Sequence, residues 1–450
     1  MNLKEIHNVY FVGIGGIGMS AIAHYFVSNG KQVAGYDKTP SHITKTLENK
    51  GVIINFEDSV SLIPTSFLNS KETLVVYTPA IPKKHNQFNY FLENNFTVLK
   101  RAEVLGEITK NTTCLAVAGT HGKTTTSSIL GHIMTVKKAT SFLGGIAENY
   151  NSNLILGDDK ISVVEADEFD RSFLKLSPDI ACVTSMDADH LDIYGEAKEL
   201  ELSFRAFSDK VSHTLIVANG LPLEGLTYGI EDDSDFCAYN IKIENGAYLF
   251  DVKTPKENIK NIIFHLPGKH NVMNALAALA MANVYGVSLE IIKEQLASFK
   301  GVKRRFSYKI KTNDLVLIDD YAHHPTEINA VEKAVREMYP KERVLVVFQP
   351  HLFSRTRDFI DDFANALTKF NEVLLLDIYP ARELPIEGVN SNWLLSKIDN
   401  KNKKITTKEN LLFDIKQSSS KIVAMLGAGD IGVMIEEVTE QLLKPLTNEV

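Results

Sequence analysis

The chain has 450 residues, a length that predicts about three domains at roughly 150 residues each. Its content of 44% hydrophobic and 23% charged residues is that of a globular protein, which excludes a disordered or fibrous one. The net charge of −8 argues against a general affinity for nucleic acid, so anionic ligands need local basic sites. We expect a cytoplasmic protein, because the N-terminus does not resemble a secretory signal and no apolar stretch is long enough for a membrane span.

The first segment alternates strand and helix: a strand at 9–12, a helix at 17–28 and a strand at 32–36. This pattern predicts a parallel sheet with right-handed crossovers. The turn at 13–18 fits GxGxxG, and Asp37 follows at about 20 residues, as in dinucleotide-binding turns. Glycines let the backbone approach a phosphate at a helix N-terminus, so the turn predicts diphosphate binding, with a packing turn as the alternative. The motif does not distinguish NAD from another nucleotide diphosphate.

A new strand, loop and helix begin with the strand at 113–118, which suggests a domain boundary near 107–112. The loop at 119–125 has the residues of a phosphate loop, in which Lys123 would reach the β- and γ-phosphate oxygens and the Thr124 hydroxyl would bind Mg²⁺. It is shorter than the standard GxxxxGK pattern, whose first glycine would fall at Val117. The loop predicts ATP binding.

Acidic residues follow the next apolar strand, predicted at 161–164. A phosphate loop needs an acid at a neighbouring strand end to hold Mg²⁺, and Glu165 is the first residue past the strand. We interpret the other three acids as a solvated acidic turn: Asp167, Glu168 and Asp170. After the strand at 180–184, His190 lies on a loop expected beside the phosphate loop, which predicts a metal or phosphate contact, with a structural histidine as the alternative.

An alanine-rich helix at 274–284 precedes a second boundary near 301–314. Arg305 lies there, and in a phosphate-loop enzyme an arginine over the γ-phosphate is an expected transition-state clamp. A solvated charged face is the alternative. The third segment again alternates, with strands predicted at 315–318, 343–348, 372–376 and 421–426.

Polar residues after the first two of these strands predict a substrate pocket in which an arginine would pair with a carboxylate. A second GxGxxG, at 427–432, is either a tight turn or a loop that lines a site.

Together these residues resemble the Mur ligase family, in particular its alanine-adding branch. The resemblance spans the whole chain and rests on GIGGIGMS, RAE, AGTHGKTTT, EADE, DADH, HNxxN, GVKRRF, DDYAHHPTE, FQPH with SRT, DIYPARE and GAGDIG, in family order. It implies an α/β protein of three domains. These are a Rossmann-like UDP-sugar domain at 1–107, a P-loop ATPase domain with a parallel-rich sheet at 108–310, and a Rossmann-like amino-acid domain at 311–450.

The resemblance further implies an ATP- and Mg²⁺-dependent ligase that joins L-alanine to the lactyl carboxylate of UDP-N-acetylmuramate through an acyl phosphate. It places the UDP-sugar at Gly15, Gly16, Ile17, Gly18, Asp37 and Thr78. It places ATP at Gly119, Thr120, His121, Gly122, Lys123, Thr124, Thr125, Asn271, Asn274, Arg305 and Asp320. It assigns Mg²⁺ to Thr124, Glu165 and His190, the amino acid to Tyr321, His323, His351 and Arg355, and catalysis to Lys123, Glu165, His190 and Arg305.

Two departures from the family pattern stand out. Leu352 and Phe353 occupy positions where the alanine-adding branch often has arginine and tyrosine. Residues 203–205 read Ser-Phe-Arg where other family members carry a carbamylated lysine, so we predict none here. We expect a monomer or weak homodimer.

Three other functions are compatible with parts of the sequence. A muropeptide-recycling ligase would join a preformed peptide to the same sugar. A NAD-dependent dehydrogenase would use GxGxxG and Asp37 but leaves the Lys123 loop unexplained. A non-enzymatic ATP-bound sensor would use the phosphate loop without substrate-dependent turnover.

Overall fold

A computed structural model describes residues 3–187, 197–244, 246–381 and 383–444. They form three β-sheets with flanking helices, within two compact units. The first unit comprises Met1–Lys242, Leu249–Phe264 and Val272–Lys300, and the second comprises Ile243–Tyr248, His265–Asn271 and Gly301–Val450. None of the described helices is long and apolar enough to cross a membrane.

The first sheet has five parallel strands in the order β3-β2-β1-β4-β5. Its central strand is buried along its whole length, as expected for a parallel strand covered on both faces. The strands are β1 Asn8–Val12, β2 Gln32–Tyr36, β3 Ile53–Asn55, β4 Thr73–Tyr77 and β5 Thr97–Lys100. The helices are α1 Ile17–Ser28, α2 His42–Glu48, α3 Asn86–Glu93 and α4 Arg101–Thr109.

The second sheet has ten strands in the order β15-β14-β13-β12-β11-β10-β6-β9-β7-β8. These are β6 Thr113–Ala118, β7 Ala139–Ala147, β8 Ser152–Ile155, β9 Asp158–Glu165, β10 Ile180–Val183, β11 Thr214–Ala218, β12 Leu226–Ile230, β13 Phe236–Glu244, β14 Ala247–Lys253 and β15 Asn258–Phe264. The helices are α5 Lys123–Met134, α6 Ala197–Ser208, α7 Lys269–Tyr285 and α8 Leu289–Ser298. Because β6 pairs in parallel with both β10 and β9, the segments after these three strands meet at one sheet edge.

The third sheet has six strands in the order β16-β17-β21-β18-β19-β20, with only the β16–β17 pair antiparallel. The strands are β16 Ser307–Lys311, β17 Val316–Asp320, β18 Val344–Phe348, β19 Glu372–Leu375, β20 Lys403–Ile405 and β21 Ile422–Leu426. The helices are α9 Pro325–Met338, α10 Phe353–Asp358, α11 Ile360–Thr368, α12 Ser391–Lys397, α13 Leu411–Gln417 and α14 Ile431–Leu443. Short 3₁₀ helices complete the described elements: Leu3–Glu5, Val60–Leu62, Thr65–Phe67, Thr135–Lys137 and Phe169–Lys175.

The first two sheets pack together within the first unit. The Tyr25 ring of α1 lies 5.4 Å from the Phe142 ring of β7, and Asn153 donates to the Ile17 carbonyl at 2.6 Å. One hydrophobic cluster runs through both sheets. The α/β architecture predicted from the sequence, with three sheets and a parallel-rich centre, is confirmed.

One strand of the third sheet extends further than predicted. The prediction ended it at residue 318, but β17 continues through Asp319 and Asp320, and both side chains are buried. The carboxylate of Asp320 accepts hydrogen bonds from the N–H groups of Phe306 and Ala322, both at 2.7 Å. These partners allow Asp320 inside a buried strand, and Arg304 Nε lies 3.5 Å from Asp319. The strand prediction did not anticipate either buried acid.

Candidate active site

The phosphate loop connects the end of β6 to the first turn of α5. Gly119 and Gly122 have φ of 135° and 81°, the region that favours glycine. A Cβ atom on Gly119 would lie 2.1 Å from the Thr184 hydroxyl, and one on Gly122 would lie 2.6 Å from the Asn274 side-chain oxygen. Both glycines are therefore required by backbone conformation and by close neighbours. The Asn274 oxygen also accepts from Thr126 at 3.2 Å, so α7 contacts the helix that follows the loop.

Glu165 ends β9 beside the first turn of α5. Its carboxylate accepts hydrogen bonds from Thr124 Oγ1 at 3.0 Å and from the Gly144 N–H at 3.0 Å. Ser127 Oγ also lies within hydrogen-bond distance, at 3.3 Å. A threonine hydroxyl and a carboxylate are oxygen donors of the kind that Mg²⁺ prefers, so the pair predicted as metal ligands fits the ion chemically.

The acidic segment after β9 is not simply a solvated turn, and the prediction was wrong for Glu168. Glu168 is fully buried, and both of its carboxylate oxygens lie 2.8 Å from Lys123 Nζ. The prediction holds better for its neighbours. Asp167 and Asp170 are each 37% exposed and pair with Arg101 and Lys100. Of the three acids after β9, Glu168 is the one in contact with the lysine of the phosphate loop.

A loop after β10 supports the phosphate loop from the other side, a role that sequence reasoning missed. The Ser185 hydroxyl accepts from the His121 N–H at 2.7 Å, and the Ser185 carbonyl accepts from the Thr120 N–H at 3.1 Å. Thr184 Oγ1 donates to the Ala118 and His121 carbonyls. The signal available in the sequence is a pair of hydroxyl residues at the end of a strand. His190, predicted as a metal or phosphate contact on the same loop, lies outside the described residues.

The glycine turn of the first sheet is held by its own acid. The Gly15 N–H donates to Asp37 at 2.7 Å, and the N–H groups of Gly13 and Ile14 donate to the Tyr36 carbonyl. Gly16 is the N-cap of α1, whose first residues are Ile17 and Gly18. A Cβ atom on Gly13 would lie 2.7 Å from Thr78, and one on Gly18 would lie 2.8 Å from the Arg101 guanidinium. The structure thus brings all six residues predicted for the UDP-sugar to the carboxyl edge of β1, β2 and β4, with Arg101 beside them.

Arg305, Asp320 and Asn271 belong to the second unit. Arg305 Nη1 lies 3.8 Å from Glu327, and its guanidinium stacks 5.3 Å above the Tyr321 ring. Burial raises the pKa of Asp320 to about 6, although Arg305 opposes the rise. Asn271 donates to the Pro267 carbonyl at 2.6 Å. Their contact with a nucleotide stays a prediction.

The four residues predicted for the amino acid form one cluster at the carboxyl ends of β17 and β18. The His323 ring lies 5.3 Å from the Tyr321 ring and 5.8 Å from the His351 ring. Arg355 Nη1 lies 3.5 Å from His351 Nδ1. Burial lowers the pKa of His323, partly offset by Glu327 at 3.2 Å. The cluster combines a guanidinium with two imidazole rings, of which His323 has a lowered pKa.

Leu352, one of the two departures from the family pattern, has φ of 73° and donates its N–H to the Tyr379 carbonyl at 3.0 Å. Tyr379 in turn stacks on His351 at 5.7 Å. The departure therefore lies in a backbone turn at the edge of the amino-acid cluster.

The second GxGxxG turn packs against residues at the edge of its own sheet. The Gly427 N–H donates to the Asp320 carbonyl at 3.2 Å, and Arg304 donates to the Gly427 carbonyl. A Cβ atom on Gly432 would lie 2.1 Å from the Arg304 guanidinium. Gln349 completes the turn by accepting from the Ile431 N–H and donating to Asp430. Close packing accounts for these glycines.

The second sheet carries a phosphate loop with a largely buried lysine and a hydroxyl–carboxylate pair beside it. The first sheet carries a diphosphate-type turn, and the third carries a histidine–arginine cluster. These features are those of a nucleotide-dependent enzyme with several substrates. Family models support this class across the chain. The Mur ligase family, catalytic domain, matches residues 8–113, the Mur ligase middle domain matches 117–282, and the Mur ligase, glutamate ligase domain matches 304–435. The chain belongs to the Mur ligase family, whose members are ATP-dependent ligases.

Named relatives agree along the whole length. The chain is 63% identical to UDP-N-acetylmuramate--L-alanine ligase from Flavobacterium psychrophilum, over 98% of this chain and 99% of the relative. It is 60% identical to the enzyme of the same name from Christiangramia forsetii, with the same coverage. Among solved structures, UDP-N-acetylmuramate-alanine ligase from Thermotoga maritima superimposes with a TM-score of 0.83 at 26% identity, covering 97% of this chain and 99% of that one.

Proposed function

We propose that this protein joins L-alanine to the lactyl carboxylate of UDP-N-acetylmuramate, with conversion of ATP to ADP and phosphate. The observation that carries the proposal is 63% identity over almost the full length of a ligase named for these substrates. The site is consistent with it. A phosphate loop, a diphosphate-type turn and a histidine–arginine cluster provide for one nucleotide, one sugar nucleotide and one amino acid.

The chemistry requires that the carboxylate first gain a leaving group, because a carboxylate and an amine do not condense at a useful rate in water. We propose that the lactyl carboxylate attacks the γ-phosphorus of ATP in line, which forms an acyl phosphate and releases ADP. The alanine amine then attacks the acyl carbon, and the tetrahedral intermediate expels phosphate. Lys123 and Arg305 are the cations that would stabilise charge on the transferring phosphoryl group.

Mg²⁺ is the metal that we propose for this site, with Thr124 and Glu165 as its protein ligands and His190 as a third. When bound, the ion would neutralise phosphate charge and orient the oxygens of the reacting phosphates. The hydrogen bond between Thr124 and Glu165 places the two oxygen donors together before any ion arrives. Gly144 and Ser127 hold the same carboxylate, so its orientation does not depend on the ion.

The two other substrates are assigned to separate sheets. We propose that the diphosphate of the sugar nucleotide lies against Gly15, Gly16, Ile17 and Gly18, with Asp37 and Thr78 shaping the turn. For alanine, Arg355 is the proposed partner of the carboxylate, and Tyr321, His323 and His351 surround it. Arginine binds a carboxylate with two parallel hydrogen bonds, which also orients the amine.

The test is phosphate release from ATP with UDP-N-acetylmuramate, supplied with alanine, serine, glycine or the tripeptide of the muropeptide. We expect alanine to support turnover and the tripeptide to support none. Preference for the tripeptide would instead identify a recycling ligase, and ATP consumption independent of any acceptor would contradict both. Oxygen-18 in the lactyl carboxylate should appear in the released phosphate, since the acyl phosphate transfers one carboxylate oxygen to it.

A further inference from the structure

Glu168 is a buried acid that none of the steps above uses. It lies in the segment after β9, three residues beyond the proposed metal ligand Glu165, and it is fully buried. Both of its carboxylate oxygens lie 2.8 Å from Lys123 Nζ, whose side chain is only 13% exposed. A buried carboxylate is costly unless it is paired, so this contact accounts for how Glu168 is tolerated.

The ammonium of Lys123 is held in a defined direction. It donates to the Gly119 carbonyl at 2.6 Å and to Glu168 at 2.8 Å, with the Thr120 carbonyl at a longer 3.4 Å. An ammonium has three N–H groups, and the two short contacts occupy two of them. The third, 3.4 Å from the Thr120 carbonyl, is the donor most easily turned to a phosphate. Gly119 and Thr120 belong to the phosphate loop itself, so Glu168 is the one side chain of this set.

Glu168 also contributes to the electrostatic environment of Lys123. Burial lowers the pKa of Lys123, but the carboxylates of Glu168, Asp167 and Glu165 outweigh burial, and the net pKa is raised. Glu168 is the largest of these three contributions and the one in direct contact.

We propose that Glu168 is a positioning residue for Lys123. It fixes the ammonium at the mouth of the phosphate loop, and it acts on ATP only through that lysine. The proposal rests on the proposed function for its turnover assay, and it deepens that function by adding a residue to the nucleotide site. It further implies that Lys123 and Glu168 work as a pair, so that changing either alone removes the 2.8 Å ion pair between them.

The first experiment compares three variants in alanine-dependent phosphate release. Glu168→Gln keeps the size of the side chain but removes its charge, and we expect kcat to fall by roughly 100-fold, the order of loss that misplacement of a catalytic group causes. The KM values for alanine and UDP-N-acetylmuramate should change little. Glu168→Asp keeps the charge on a shorter side chain and should recover part of kcat. The matched control is Asp170→Asn, because Asp170 is a neighbouring acid with a partly exposed lysine partner.

The second experiment measures ATP affinity by calorimetry with Mg²⁺ present, and it does not depend on the amino-acid substrate. Glu168→Gln should weaken ATP binding in the wild-type background. In a Lys123→Met background the same change should strengthen ATP binding, because the Lys123 charge no longer offsets the carboxylate, which then repels phosphate. This reversal of sign is what a purely structural role would not produce.

The two experiments distinguish failure of the Glu168 proposal from failure of the proposed function. Wild-type kcat in Glu168→Gln, or equal effects of that change on ATP affinity in both backgrounds, would overturn the proposal. If the wild-type protein releases no phosphate with alanine, the proposed function fails, while the affinity experiment still decides the role of Glu168. If Glu168→Gln does not fold, Glu168→Asp carries the same test, with an expected intermediate loss of kcat and no loss if the proposal is wrong.

Discussion

The two cations expected at the nucleotide phosphates are held in opposite ways. Lys123 is 13% exposed and lies 2.8 Å from a fully buried glutamate, within the first unit. Arg305 is 32% exposed and lies 3.8 Å from Glu327, which is 19% exposed, within the second unit. An ion pair strengthens as water is excluded and the distance between the charges falls. The Lys123–Glu168 pair is therefore strong, and the Arg305–Glu327 pair is weak. A fixed cation suits a preformed phosphate loop, and a loosely held one suits a group that adjusts to its ligand.

The two regions also differ in what shapes them. The phosphate loop depends on glycine backbone and on hydrogen bonds from Ser185 and Thr184, whereas the cluster around Arg305 depends on side chains that cap a helix. Glu327 closes the capping box of α9 and accepts from the His323 N–H at 2.9 Å. Substitutions should therefore be most damaging in the phosphate loop.

The largest effect is expected for Lys123→Ala. The substitution removes the ion pair with buried Glu168 and the positive charge that would stabilise the transferring phosphoryl group. Alanine-dependent phosphate release should therefore fall by at least about 10³-fold, the scale of a lost transition-state contact. Steady-state kinetics with circular dichroism as a check on folding measures it. Lys175→Ala, which removes an exposed lysine, is the control. Retained turnover would remove the phosphate-loop assignment.

Gly122→Ala should come next. Alanine pays about 1–2 kcal/mol for a left-handed backbone, and its Cβ would also lie 2.6 Å from the Asn274 oxygen. We expect a loss of stability together with weaker ATP binding. Gly220→Ala is a matched control, since Gly220 has φ of 90° with open space around it. Thermal unfolding and calorimetry on both variants separate the conformational cost from the clash, and equal behaviour would show that Asn274 yields.

A smaller effect is expected for Glu327→Gln. The Arg305 pair is partly exposed, so its loss is worth about 0–1 kcal/mol, which corresponds to at most about a fivefold change in kcat/KM for ATP. Glu332→Gln changes an acid on the same helix whose partner is Arg336, and it should leave activity unaltered. If Glu327→Gln lowers activity as much as Lys123→Ala does, then Arg305 is not the weakly restrained cation of the two.

The smallest effect on activity, but a clear one on stability, is expected for Asp319→Asn. Burial raises the pKa of Asp319 to about 6, against the opposing effect of Arg304. A raised pKa means that the folded state binds the proton more tightly, so wild-type stability relative to the variant is greatest below about pH 4 and is lost as pH rises through 6. Through Asp319, the free energy of unfolding of the wild type should be lower at pH 7 than below pH 4 by on the order of 2–3 kcal/mol.

Fluorescence can follow this effect, because the single tryptophan, Trp393, lies in the same unit as Asp319. Asp319→Asn should gain stability over wild type between pH 4 and pH 7. Asp361→Asn, at a side chain that is 74% exposed, is the control and should show no such trend. A constant difference between wild type and Asp319→Asn across this range would contradict the assignment.

Local elements were predictable because their signals are contiguous. The helix at 17–28 and the strands at 32–36 and 113–118 were predicted with the bounds that the structure has. Each is a run of apolar residues closed by glycine, proline or polar residues, so its limits depend on near neighbours. The end of the strand predicted at 315–318 was less exact, because buried Asp319 and Asp320 resemble loop residues in a pattern based on polarity.

The sequence by itself determined the phosphate loop, its lysine and the acid after the neighbouring strand, since each is a short motif whose chemistry is carried by adjacent residues. Only the tertiary structure decided which acid meets that lysine and which hydroxyls support the loop. Glu168 is 45 positions from Lys123, and Ser185 is 64 positions from His121. Those contacts exist because β6 lies between β9 and β10, an order of strands that composition and spacing along the chain do not specify.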